Sequence, residues 1–258
     1  MKVATWNVNS IRTRQDQVVN WLSENKVDIL CLQETKVVDD TFPRSPFAEL
    51  GYHIYVSGQK SYNGVAIISA RPLEDVTTGF APLLGTSDLD EQKRVISGTI
   101  DDVRIVNVYI PNGSSVGSDK YTYKLRWLTA LQEYLRLLLY ETSNICICGD
   151  FNIAPDDRDL HAPALLTGQV MASDLERQAL AAIVNLGFAD AFRKFTTDGG
   201  HFSWWDYRSA AFQRNLGWRI DLHYLTSDLY NQAISCTIDV VPRKLPQPSD
   251  HTPVIVEF

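Results

Sequence analysis

The sequence predicts an α/β fold in which two β-sheets pack against each other with helices outside. Three observations carry that prediction. Apolar runs of strand length recur from one end of the chain to the other, helical periodicity is confined to a few longer segments, and no stretch has the length or composition of a linker. A sheet or a helix must bury its apolar face, so many strands with a few long helices stack most simply as paired sheets beneath helices. The 258 residues suit one large domain, since α/β chains reach about 250 residues without splitting. A single domain over residues 1–258 is expected.

The first apolar run, 2–7, is followed by helical spacing over 12–25. Strand-like runs come next at 28–32, 53–56, 64–69, 95–100 and 103–110. They are rich in Val and Ile and seldom broken by charge, which reads as strands buried on both faces. Residues 119–140 carry apolar side chains at helical spacing, interrupted by Arg126, Gln132, Glu133 and Arg136, and are too polar to cross a membrane. A strand is expected at 144–149 and a helix over 174–186, with Asp174 capping its start and Gly187 stopping it. Strands at 220–226, 233–240 and 252–258 complete the chain. The turn-rich segments 35–46, 111–120 and 155–173 read as loops on one scaffold, where binding groups tend to sit.

Hydrophobic residues make up 45% of the chain, with six Trp, eleven Tyr and ten Phe, enough for a sizeable core. Met1 leads directly into a strand-like segment with no charged leader, so export is not expected. Cys31, Cys146 and Cys148 lie in apolar runs, Cys236 is isolated, and none has the spacing of a zinc or redox pair. Reduced, buried cysteines of a cytoplasmic protein are expected. A net charge of -7 weighs against a phosphate-rich partner. Acidic residues gathered around a divalent cation would reverse that inference, because the chain would look anionic while its working surface attracted phosphate.

Polar and acidic residues recur where strands end: Asn7, Glu34, Tyr109, Asn112, Asp150 and Asn152, then Asp221 on a strand and Asp250-His251 before the last one. Alone, each has an ordinary reading. Asp150 could be a turn residue, Asn152 a local cap, Glu34 a solvated loop acid and His251 a satisfied buried histidine. Converging on one rim, they would supply four carboxylates (Glu34, Asp150, Asp221, Asp250), several carboxamides, a phenol and an imidazole. Carboxylate and carboxamide oxygens are hard ligands suited to Mg²⁺ or Mn²⁺ rather than zinc. Such a rim suits hydrolysis at phosphorus, with an Asp and His polarising the reacting groups.

These residues sit in motifs that resemble exonuclease III and its abasic-site (AP) endonuclease relatives over essentially the whole chain. The segments are Ala4-Thr5-Trp6-Asn7-Val8-Asn9, Leu32-Gln33-Glu34-Thr35-Lys36, Tyr62-Asn63-Gly64, Tyr109-Ile110-Pro111-Asn112-Gly113, Cys148-Gly149-Asp150-Phe151-Asn152, Phe202-Ser203-Trp204-Trp205, Gly217-Trp218-Arg219-Ile220-Asp221 and Ser249-Asp250-His251. The resemblance implies a four-layered α/β sandwich of two packed, mainly antiparallel mixed sheets flanked by helices. It implies a Mg²⁺-dependent phosphodiesterase, with Mn²⁺ able to substitute and one or two ions bound. Glu34 and Asp250 would be metal ligands, with Asn7, Asp150, Asn152 and His251 around the same centre or a second one. Asp150 with Asn152 would orient or activate the attacking water, His251 held by Asp221 would polarise the scissile phosphate, and Tyr109 would lie close to it.

By the same resemblance, Trp204, Trp218 and Ile220 would line a pocket for a flipped-out sugar without its base. Arg12, Lys36, Tyr62 and Asn112 would approach the backbone of double-stranded DNA carrying abasic sites or blocked 3′ ends. A monomer is implied. The chain departs from some relatives at Asn9, where they carry an acid, and in the small, polar loop 113–118. The alternatives are a 3′–5′ exonuclease with weak abasic-site cleavage, or an inositol-phosphate or lipid phosphatase of the wider superfamily, against which the Trp-containing segments argue. A DNA-binding scaffold that had lost the chemistry would lack several of Glu34, Asp150, Asp221, Asp250 and His251, and all are present.

Overall fold

The structure is a computed structural model that describes residues 1–85 and 88–258. Its strands, in chain order, are β1 (Lys2–Asn7), β2 (Ile29–Gln33), β3 (His53–Ser57), β4 (Val65–Ser69), β5 (Glu74–Thr78), β6 (Val95–Ile100), β7 (Val103–Tyr109), β8 (Ile145–Asp150), β9 (Phe188–Asp190), β10 (Trp204–Trp205), β11 (Gly217–Trp218), β12 (Asp221–Thr226), β13 (Ser235–Ile238) and β14 (Val254–Glu257). They form one six-stranded sheet in the order β13-β14-β1-β2-β4-β3, a second in the order β5-β6-β7-β8-β12-β9, and a short β10-β11 ribbon. Within each large sheet one pair is parallel, β1 with β2 and β7 with β8, and the other neighbours run antiparallel. This is the mixed, mainly antiparallel sandwich that the sequence predicts.

Alternation along each strand builds the layers. In β8, Ile145 and Ile147 face outward under the helices Asp119–Glu141 and Asp174–Val184, while Cys146 and Cys148 face inward. The inward set meets Val3, Ile29, Cys31 and Val65 of the first sheet in a core enclosed between the sheets. On the other side of the first sheet, Trp6, Leu30 and Leu32 pack against Ile11, Val18 and Leu22 of the helix Ile11–Asn25. Strands buried on both faces thus account for the unbroken apolar runs. All four cysteines are free and buried. Among the described residues no helix is long and apolar enough to cross a membrane.

Some local expectations need correction. Asp174 is the first helical residue rather than the cap: Ser173 accepts from the Glu176 N–H, and Glu176 returns a bond to the Ser173 N–H, making a reciprocal capping box. The helix ends at Val184 with Asn185 as its C-cap, so Gly187, at φ 118, lies in the turn beyond the stop expected of it. Strand β5 escapes sequence reading because it is an exposed edge, polar and bulged, that exists by pairing with β6. Strands β9, β10 and β11 are too short to leave a periodic signal.

Two buried carboxamides tie the sheets together. Gln33 Nε2 donates to Asn107 Oδ1 at 2.7 Å and to Thr5 Oγ1 at 2.9 Å, while Asn107 Nδ2 donates across the interface to the carbonyls of Leu32 and Ala66. Both residues are fully enclosed. Asn107→Ala removes the bonds that cross between the sheets, while Gln33 keeps Thr5 Oγ1 and the Cys31 carbonyl, and should lower stability by about 1–3 kcal/mol. The check is the urea midpoint, and an unshifted midpoint would show that the clamp does not hold the sheets.

Candidate active site

Strand register gathers the second sheet's share of the site. Tyr109 is paired with Asp150 across β7 and β8, and Asp150 with Asp221 across β8 and β12, so the three lie in one row. Gly149 permits the row: a Cβ there would sit 1.9 Å from the Val108 carbonyl oxygen, so no other residue fits without moving the neighbouring strand. The first sheet contributes Asn7 at the end of β1 and Glu34 just beyond β2. His251 comes from the turn before β14 and pairs with Trp204 in an isolated bridge.

Hydrogen bonds join the two shares. Asn7 Nδ2 donates to Glu34 Oε1 at 3.0 Å and to Asp150 Oδ2 at 2.9 Å, linking carboxylates that belong to different sheets. His251 Nδ1 donates to Asp221 at 2.9 Å, and its Nε2 lies 3.7 Å from Asp150 Oδ2. Asp221 also accepts from the Ser203 hydroxyl at 2.7 Å. Asn152, at φ 48, folds back so that its backbone N–H and its Nδ2 both reach Asp150. Asp250 accepts from Asn9 Nδ2 and from Trp204 Nε1, each at 3.0 Å. Lys36 Nζ pairs with Glu34 at 2.8 Å and donates to Asn9 Oδ1 at 2.5 Å.

Burial makes these charges matter. It pushes the Asp150 carboxyl up to about 7, with His251 opposing and Asp221 reinforcing the rise. Burial alone would lower the His251 pKa, but Asp221 and Asp150 override it and push the imidazole up to about 10. Glu34 stays low despite burial, because Lys36 and the Asn7 amide favour its ionised form. Burial and Glu34 hold the Tyr109 phenol well above its usual range, so it keeps its proton, while the Arg94 guanidinium lies 4.5 Å from the ring centre.

The donor set fits a hard divalent cation. Asp150, Asp221 and His251 lie close enough together to hold an ion. Asp221 and the His251 Nδ1–H already satisfy one another, however, and Glu34 already pairs with Lys36, which among the described residues leaves Asp150 as the carboxylate of this group with no close ion-pair partner beyond His251 at 3.7 Å. Burial is the main cause of the raised Asp150 pKa, with Asp221 adding to it, and a cation bound there would favour the ionised form. Among the other candidate ligands, Asn7 turns its nitrogen to the carboxylates while its oxygen accepts from the Asn9 N–H. Asn152 Oδ1 accepts from Asn112 Nδ2 at 3.1 Å. Asp250 lies on the far side of Asn9, at the Trp204 edge.

Beside His251 is a packed apolar cluster. Trp218 and Ile220 are nearly enclosed and pack with Ala154, Leu160, Met171 and Ala172, and Trp204 meets Trp218 edge-on at 6.3 Å. The remaining residues flank the rim. Arg12 and Asn112 are exposed, Tyr62 strongly so at 70%, and Lys36 is half-buried. Sequence reading gave no role to Ser203, although it lies in a quoted segment, nor to Arg94 or Lys124. Ser203 is an unremarkable residue type, and the other two lie far in sequence from the groups they touch.

The charge arrangement has a measurable sign. Folding raises the His251 pKa from 6.5 to about 10, so the imidazolium stabilises the metal-free fold fully below pH 6.5 and loses that contribution as the pH rises through about 10. Imidazole nitrogen shifts in metal-free protein should therefore show His251 doubly protonated at about pH 8, where a free histidine is neutral. Titration at or below 6.5 would sink this assignment.

Residues 4–251 match the Endonuclease/Exonuclease/phosphatase family. The exodeoxyribonuclease of Bacillus subtilis is 35% identical over 261 residues, which cover 98% of each chain. A 3′ phosphatase from Neisseria, solved with a product DNA hairpin, superposes with a TM-score of 0.95 at 40% identity, covering 100% of this chain and 99% of that one. An AP endonuclease from Archaeoglobus fulgidus superposes at 0.94 and 40% identity, with the same coverage. Full-length similarity at this level, together with strand ends that converge as described, shows that the chain belongs to the endonuclease/exonuclease/phosphatase family, in its exonuclease III and AP-endonuclease branch.

Proposed function

We propose that this chain, acting as one domain over residues 1–258, is a DNA-repair phosphodiesterase that uses Mg²⁺, or Mn²⁺ in its place, to cut the backbone 5′ to abasic sites and to trim blocked 3′ ends. The observation that carries the reading is the adjacency of two features. The Glu34–Asn7–Asp150 bridge and the Asp221–His251 pair lie next to the apolar cluster of Trp204, Trp218 and Ile220, which would form the sugar pocket. We place its action in the cytoplasm, as a monomer.

One or two ions held by Glu34 and Asp150, with Asp250, Asn7, Asn152 and His251 around them, would neutralise charge on the phosphate and the leaving oxygen. The chain's own groups do the rest. Asp150, fixed by the Asn152 amide, orients the attacking water and accepts its hydrogen. His251, kept in its charged form by Asp221, donates from Nε2 to a phosphate oxygen as negative charge builds there. Tyr109, protonated, donates to the same group. Arg12, Lys36, Tyr62 and Asn112 hold the DNA backbone, so phosphate contact draws on local donors although the chain as a whole is anionic.

Selectivity follows from shape. Walls of Trp and Ile admit a bare sugar and clash with one that carries a base. A second reading, 3′–5′ exonuclease with weak abasic incision, is favoured by loop 113–118, whose exposed residues are small, apart from Val116, and offer no bulky wedge for the helix. Inositol-phosphate hydrolysis fits this surface poorly, since Trp and Ile offer a polyhydroxylated ring few polar partners, and the Trp204 N–H is already taken by Asp250.

A duplex with one tetrahydrofuran abasic analogue should be cut 5′ to the analogue with Mg²⁺ and not with EDTA, and His251→Asn should lower turnover by about a hundredfold or more while the fold persists. Absence of metal-dependent cutting at that site refutes the reading. Trp218→Ala should narrow discrimination between abasic and intact DNA by about tenfold, with metal affinity little changed. Unaltered selectivity would make Trp218 a core residue only.

A further inference from the structure

We infer that Lys124, buried beneath the site and not facing it, is a positioning residue that holds three site loops in one arrangement. Lys124 lies in the helix Asp119–Glu141 and its side chain is fully enclosed. Its ammonium donates to the Asn152 carbonyl at 2.7 Å, to the Asn112 carbonyl at 3.2 Å and to Glu176 Oε1 at 2.5 Å. These are three acceptors for three N–H groups, so the ion is saturated. Glu176 is equally enclosed, and it receives the backbone N–H groups of Met171 and Ser173 and the Ser173 hydroxyl.

Each tether leads to the site. The Asn152 backbone determines whether its N–H and its amide reach Asp150. Asn112 in turn donates from Nδ2 to Asn152 Oδ1 and to Met171 Sδ. Met171, held through Glu176, packs in the apolar cluster with Trp218 and Ile220. One ion pair therefore connects the water-orienting turn, the backbone-contacting loop and the pocket wall.

A buried pair could instead serve stability alone, and the two roles separate experimentally. This inference rests on the proposed phosphodiesterase activity for its kinetic readout and is independent of it for the second one. Lys124→Met strands a buried carboxylate and is expected to fold poorly. The informative variant is Lys124→Met/Glu176→Gln, which removes both charges and leaves the two carbonyls untethered. On the tetrahydrofuran duplex with Mg²⁺ it should lose about 10- to 100-fold in kcat, with KM little changed. Hydrogen exchange should quicken in peptides spanning 110–114, 150–154 and 170–173, and not in strands β1 and β14. If kcat returns to the wild-type value together with the melting temperature, or if exchange in the three loops is unchanged or rises evenly along the chain, the positioning role is overturned. If wild-type protein does not cut the duplex, the proposed function fails, and exchange alone decides the role of Lys124.

Discussion

Gln33 and Asn107 meet in the dry space between the two sheets, and their amides leave little freedom in how those sheets stack. Apolar contact is non-directional and tolerates sliding. A buried carboxamide does not, because displacing it strands several donors and acceptors at once. The site depends on that fixed stacking. Asn7, Glu34 and His251 arrive with the first sheet, and Tyr109, Asp150 and Asp221 with the second. The bonds that define the chemistry, Asn7 to Asp150 and His251 to Asp221, cross between the two sheets.

The same molecule buries further ions in paired arrangements outside the space between the sheets. Arg219 lies between Asp159 and Asp190, and Lys124 against Glu176. Such pairs add little net stability, but losing one member is costly, and this penalises alternative arrangements of the loops that carry them. Arg219 stands between Trp218 and Ile220, so its two carboxylates also hold the segment that carries this part of the apolar cluster.

Much of the architecture was legible as pattern. Strands buried on both faces announce themselves as Val- and Ile-rich runs, and the long helices by their spacing. What escaped was structure that exists only by pairing: the exposed edge β5, the two-residue ribbon, and the Ser173 cap, which owes its place to the bond returned by Glu176. At the site, Glu34, Asp150, Asp221 and His251 were readable because they recur together at strand ends, in motifs shared with a known family, although each alone has an ordinary reading. Ser203 was not, since its role lies wholly in the Asp221 oxygen 18 residues away, nor was Lys124, whose charge is hidden on a helix that otherwise looks amphipathic.

The sequence by itself determined which side chains stand at the strand ends, which strands are covered on both faces and which motifs the chain shares with its relatives. The tertiary structure decided the row of Tyr109, Asp150 and Asp221, the turn of the Asn7 amide toward two carboxylates, and the ion that braces three loops from below. The physical reason is that periodicity along a strand fixes which face a residue takes. It says nothing about which residue of a distant strand lies opposite, and a one-residue change of register would turn every one of these groups away from its partner.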